Sequence, residues 1–134
     1  MTKSKTIFYL DDDSDDRYFF KNAAGSLGHK VMVFHNGDDL LKALRESKKK
    51  PDLLFLDVHM PVLNGEEMLN LLKKSDAYKH IPIVMISGAY PKKLVRHLLD
   101  AGAEHLMKKT PVNELRAAIA EVIENASESA QLSS

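Results

Sequence analysis

The apolar positions of the chain fall into two kinds of run. Three stretches are continuously apolar: "TIFYL" (6–10), "DLLFL" (52–56) and "IPIVMIS" (81–87). Runs of this length without alternation predict parallel strands covered on both faces. "KVMVF" (30–34) reads as a fourth strand. "EHLMK" (104–108) reads as a short fifth, and the Lys pair that closes it suits a sheet edge.

Between the strands the apolar period becomes helical. Residues 14–27 place Phe20, Ala23, Ala24 and Leu27 on one side, and residues 37–47 place Leu40, Leu41 and Leu44. Residues 65–74 offer Met68, Leu71 and Leu72, with Asn64 as N-cap. Residues 91–101 offer Leu94, Val95, Leu98 and Leu99. Residues 111–126 offer Val112, Leu115, Ile119, Val122 and Ile123, with Thr110 as cap and Pro111 at the first helical position. A strand–helix unit repeated five times predicts an α/β domain. Its sheet is five-stranded and parallel, with right-handed crossovers and helices on both faces. The domain is expected over residues 1–126, and the polar segment "SESAQLSS" (127–134) as a disordered tail.

Composition removes several function classes. Lys plus Arg number 19, as do Asp plus Glu, so no net basic field points to nucleic acid or an anionic membrane. The absence of cysteine removes disulfides, thiolate metal sites and a cysteine nucleophile. No apolar run spans a bilayer and the first residues do not form a signal peptide, so a cytoplasmic setting is expected.

Charge is nevertheless unevenly placed. "FYLDDDSDDR" (8–17) stacks Asp11, Asp12, Asp13, Asp15 and Asp16 at the exit of a strand. Two carboxylates about 4 Å apart repel by roughly 4 kcal/mol at an effective dielectric near 20. In open α/β sheets, ligands bind beyond the carboxyl ends of the strands. The first strand ends at Asp11 and Asp12, the third at Asp57, the fourth at Ser87 and the fifth at Lys108 and Lys109. With the first, third and fourth strands adjacent, three carboxylates converge near a hydroxyl and an ammonium. Such a cluster takes up a proton or a cation, and Mg²⁺ suits it because it prefers hard oxygen ligands and readily adds a phosphate oxygen. Asp13 is assigned to the turn. Asp15 and Asp16 fall in the first turn of a helix, where the dipole favours negative charge. A carboxylate beside such a cation can attack phosphorus. Asp57, alone at the end of a buried strand, is the best candidate. Ser87 and one lysine would contact the phosphoryl oxygens, and Gly88 leaves room for them.

These residues carry a resemblance. The acid pair Asp11–Asp12, "LDVHMPVLNG" around Asp57, "MISG" around Ser87 and "GAEHLMKK" resemble, in that order, the receiver domain of two-component response regulators. The resemblance covers almost the whole chain. It implies a flavodoxin-like fold with strand order 2-1-3-4-5. It implies phosphoryl transfer to Asp57 from a sensor histidine kinase or histidine phosphotransfer protein. It implies Mg²⁺, with Mn²⁺ as the alternative ion, held directly by Asp12, mostly through water by Asp11, by Asp57, and by the backbone carbonyl of His59. Ser87 and Lys109 become the switch pair, Lys109 being chosen over Lys108 by its spacing from Gly102. The fourth helix, fifth strand and fifth helix become the output face toward a downstream protein. Three positions depart from the family pattern: Leu106 where an aromatic is common, Thr110 where proline is usual, and Ala89, which cannot orient an attacking water.

Rival readings fit less well. An aspartyl-phosphate phosphatase would need Thr or Val where Asp15 stands. An EF-hand would need Gly at Asp16 and Glu at Asn22. A flavin-binding relative would carry a Ser/Thr/Gly-rich first loop in place of the acids. A receiver-like module that binds partners without phosphorylation would not need the full set of Asp11, Asp12, Asp57, Ser87 and Lys109. The imidazoles of the six His residues (His29, His35, His59, His80, His97 and His105) show no tight metal-ligand spacing, and these residues are read as surface or loop positions. The expectation is therefore a signalling domain rather than an enzyme, standing alone or acting as an intermediate phosphate carrier.

Overall fold

Each apolar run becomes a strand and each amphipathic segment a helix in a computed structural model that describes residues 4–60 and 64–132. The strands are β1 (Thr6–Leu10), β2 (Lys30–Phe34), β3 (Leu53–Asp57), β4 (Ile83–Ser87) and β5 (His105–Lys108). The helices are α1 (Ser14–Ser26), α2 (Gly37–Glu46), α3 (Gly65–Lys73), α4 (Lys92–Asp100) and α5 (Val112–Leu132). All pairings are parallel and the order is β2-β1-β3-β4-β5, the flavodoxin-like arrangement. Pro61 of the Asp57 segment and the last two residues of the expected tail lie outside the described residues.

Strand alternation sorts the core into two layers. Ile7 and Tyr9 of β1, Leu53 and Phe55 of β3, Val84 and Ile86 of β4 and Met107 of β5 pack against Phe20 and Ala24 of α1 and Ile119 and Ile123 of α5. Phe8, Leu10, Leu54, Leu56, Ile83 and Met85 face α2, α3 and α4. The central strands β3 and β4 are buried throughout. The edge strand β2 is not, and Met32 is half exposed.

Helix starts follow local chemistry. Asp13 caps α1 by accepting the Asp16 N–H at 2.9 Å, so it serves the turn as expected. Asn64 caps α3, with Glu67 completing a reciprocal capping box. Gly28, at φ 93°, supplies the left-handed residue that follows α1.

Two expectations are corrected and one is refined. Thr110 does not cap α5: its hydroxyl is buried without a partner among the described residues, and the helix begins at Val112 behind Pro111, whose carbonyl accepts the Glu114 N–H. The segment after residue 126 is not a separate tail, because α5 continues through Leu132. That stretch holds Ala, Glu, Gln and Leu and no Gly or Pro to stop a helix. His29, read as a surface or loop residue, does sit in a loop but is buried, with Nδ1 accepting the Lys5 N–H at 3.0 Å. Along α4 only Leu98 is buried, and Leu99 stays 50 % exposed.

Candidate functional site

The alternation that builds the core also aims the polar residues at the strand ends. Asp11 continues the parity of Ile7 and Tyr9, Asp57 that of Leu53 and Phe55, and Lys109 that of Met107, all on the α1/α5 side. Ser87 follows the opposite parity, that of Ile83 and Met85. Three acids therefore meet. Asp11, Asp12 and Asp57 each offer a carboxylate oxygen, and these lie within 4.8 Å of one another. Asp11 and Asp57 are buried and Asp12 is exposed. The ammonium of Lys109, not of Lys108, joins them, 3.6 Å from Asp57 Oδ2 and 3.7 Å from Asp11 Oδ2.

Each acid is held in place by its neighbours. Asp11 accepts the Asp13 N–H at 3.0 Å and the hydroxyl of Tyr9. Tyr9 lies two residues upstream on the same face, with its ring stacked on Phe20. Arg17 donates to the Asp11 carbonyl at 2.9 Å. Asp57 accepts the His59 N–H at 3.1 Å. Its backbone is backed by Gly65, where a Cβ would run into the Asp57 carbonyl, standing 2.8 Å from the carbonyl carbon. Only glycine can begin α3 this close. At Gly88 a Cβ would meet nothing within 4 Å among the described residues, which leave open space there.

The electrostatics show the strain of the cluster. Burial pushes Asp11 up to about 6, against the pull of its Tyr9 and Asp13 hydrogen bonds, and the Asp57 charge adds to the rise. Burial likewise raises Asp57, opposed by the His59 N–H and by Lys109. Burial alone would lower Lys109. The hydrogen bond that Lys109 donates to Asp16 and the charges of Asp11 and Asp57 outweigh burial and raise the ammonium above its ordinary range. One ammonium does not neutralise three carboxylates. An all-oxygen donor set with excess negative charge fits a hard divalent cation.

Some contacts were not legible as site features. Lys109 makes its closest contact, 2.9 Å, with Asp16 in the first turn of α1. Ser87 Oγ lies 2.8 Å from the Ala89 carbonyl and 3.2 Å from Nε2 of His59, so the His59 imidazole reaches Ser87 as its N–H reaches Asp57. The Lys109 N–H donates to the Ser87 carbonyl at 2.9 Å, which ties the lysine and the serine together through the backbone. Tyr90, three residues past Ser87, lays its hydroxyl 2.5 Å from the Met107 carbonyl and 3.0 Å from that of Met85.

Residues 7–120 match the response regulator receiver domain family. The chain belongs to that family. The receiver is 29% identical over 87% of its length to the sensor histidine kinase TmoS of Ectopseudomonas mendocina, covering 12% of that protein. It is 25% identical to the polar-differentiation response regulator DivK of Brucella anthropi, over 78% of this chain and 84% of DivK. Its fold superposes on the phosphorylated cyanobacterial phytochrome response regulator RcpA with a TM-score of 0.81, at 24% identity, over 91% of this chain and 93% of that one. The receiver spans 12%, 27% and 14% of the length of three of the curated relatives it matches. It is a signalling domain with the fold of chemotaxis-type response regulators.

Proposed function

We propose that Asp57 is the phosphoacceptor of this receiver, with Ser87 and Lys109 as the groups that engage the phosphoryl oxygens. One observation carries the reading. The Asp57 carboxylate stands at the end of a central buried strand, grouped with Asp11 and Asp12, with a lysine ammonium 3.6 Å away. A carboxylate oxygen of Asp57 forms a P–O bond as the P–N bond to the imidazole of a donor phosphohistidine breaks. The imidazole keeps the electron pair. Family membership supports a histidine kinase or phosphotransfer protein as that donor.

Asp12, Asp11, Asp57 and the His59 carbonyl would hold Mg²⁺ or Mn²⁺. The side chain of Asp12 makes no hydrogen bond among the described residues, whereas both oxygens of Asp11 already accept one, which favours Asp12 as the direct ligand and Asp11 as a water-mediated one. When bound, the ion neutralises charge on the phosphoryl oxygens and fixes their orientation. Tyr9 and the Asp13 N–H hold Asp11, and the His59 N–H holds Asp57 in place. Gly88 leaves the space that three added oxygens need.

Phosphorylation then shifts a population. Ser87 leaves His59 and Ala89 for the phosphoryl group, and Lys109 turns to the same anion. Because Ser87 ends β4 and Tyr90 lies in the β4–α4 connection that follows it, the movement reaches the face formed by α4, β5 and α5. Val95 and the half-exposed Leu99 lie there beside Lys92 and Arg96, in a groove with Tyr90. A downstream protein docks on this face. Among the described residues no helix is long and apolar enough to cross a membrane, and we place the exchange in the cytoplasm. Incubation with acetyl phosphate and Mg²⁺, followed by intact mass measurement, tests the reading. The native protein should gain one phosphoryl group and Asp57→Asn none; equal gain by both refutes it.

A further inference from the structure

Lys109 faces three carboxylates and is hydrogen-bonded to one. Its Nζ stands 2.9 Å from Asp16 Oδ2, against 3.6 Å from Asp57 and 3.7 Å from Asp11. Asp16 does not sit at a strand end. It lies in the first turn of α1, its own N–H fixed by the Asp13 carboxylate at 2.9 Å. The contact joins residues 93 positions apart, linking the end of β5 to the start of α1. The helix dipole accounts for an acid in this turn, but it does not account for that acid's hold on the ammonium the phosphoryl group needs.

We infer that Asp16 is a positioning residue that competes with the phosphoryl group on Asp57 for the Lys109 ammonium. The inference rests on the phosphoacceptor reading above. Two effects of the Asp16 charge act in the same direction. The carboxylate partly neutralises the ammonium, and it presents a like charge to the incoming phosphoryl anion. An opposite effect, preorganisation of Lys109 by Asp16, is small here. The Lys109 N–H is already fixed on the Ser87 carbonyl, and Asp11 and Asp57 still attract the ammonium when Asp16 is removed. The pair is also partly exposed, Lys109 at 38% and Asp16 at 40%. Ion pairs of this kind are weak and exchangeable, which suits a contact that holds the lysine until a stronger anion arrives. Its release would free the start of α1 from β5, so that phosphorylation is felt at α1 as well as at the β4–α4 connection.

Beryllofluoride, which occupies the place of a phosphoryl group on a carboxylate, serves as the probe. Its dissociation constant in saturating Mg²⁺ is measured by calorimetry for the native protein, Asp16→Asn, Asp16→Glu and Asp15→Asn. Asp15 is a neighbouring exposed acid that makes no ion pair or hydrogen bond with Lys109 among the described residues. Competition predicts roughly two- to fivefold tighter binding for Asp16→Asn, the native value for Asp16→Glu and the native value for Asp15→Asn. Unchanged or weaker binding by Asp16→Asn overturns the inference. So does equal tightening by Asp15→Asn, since that would reflect net charge alone. If the native protein binds no beryllofluoride, or binds it as well after Asp57→Asn, the phosphoacceptor reading falls and this inference with it.

Discussion

The hydroxyl of Tyr9 in β1 donates a hydrogen bond to the carboxylate of Asp11, two residues on and just past the end of that strand. Both groups are buried. A hydrogen bond to a buried charged group contributes roughly 1.5–3 kcal/mol. Tyr9→Phe keeps the stacked ring on Phe20 and removes only this bond, so it should destabilise the protein by about that amount. Urea unfolding with an unchanged m-value would show it.

The raised acids give stability a pH dependence of definite sign. Asp11 titrates at about 6 in the folded protein against 3.8 as a free side chain, and Asp57 is raised as well. The folded state therefore binds protons more tightly, and this contribution, full below about pH 4, is lost as pH rises through about 6. In chelator, the melting temperature should fall across that window. Mg²⁺ at about 100 times its dissociation constant should restore about 2.7 kcal/mol at pH 7.5 and little at pH 4. Asp11→Asn should be more stable than the native protein in chelator at pH 7.5, on the order of 1–3 kcal/mol, and should gain less from Mg²⁺.

Gly65 and Gly88 should respond oppositely to alanine. At Gly65 a Cβ meets the backbone of Asp57 and Val58, so Gly65→Ala should cost about 1–3 kcal/mol and slow phosphorylation by displacing Asp57. At Gly88 a Cβ meets nothing within 4 Å among the described residues, so Gly88→Ala should melt at the native temperature while taking up phosphoryl groups more slowly. Thermal unfolding beside an acetyl phosphate time course separates the two.

Much of this was legible in the chain. Continuous apolar runs located the strands, and their last residues, Asp57 and Ser87, are the ends of β3 and β4. Alternation then carries Asp11, Asp57 and Lys109 to one side of the sheet. What stayed hidden depends on tertiary distance. Nothing local says that Asp16 rather than Asp57 is nearest to Lys109, because the two residues are 93 positions apart. The Tyr9–Asp11 pair had a local signal, the spacing of two, but the spacing does not say that a phenol turns toward the acid. The ring of His59 reaches Ser87 only because β3 and β4 are neighbours. The expected Thr110 cap fails: its hydroxyl is buried and makes no hydrogen bond among the described residues.

Tyr90 offers a test of the path from site to surface. Its one hydroxyl hydrogen serves either the Met107 or the Met85 carbonyl, which ties the β4–α4 connection to β4 and β5, and burial pushes the phenol up to about 12. Tyr90→Phe should destabilise the protein by about 1 kcal/mol. It should leave phosphoryl uptake intact while increasing amide hydrogen exchange in α4 of the unphosphorylated protein. Native exchange rates in α4 would show that the hydroxyl does not restrain the helix.

The central claim is that Asp57 carries the phosphoryl group. An acyl phosphate is reduced by borohydride, and the aspartate that bore it becomes homoserine, which peptide mass spectrometry locates. After incubation with acetyl phosphate, homoserine should be found at position 57, and only when Mg²⁺ is present. Homoserine at Asp11 or Asp12, or at no aspartate at all, would contradict the account.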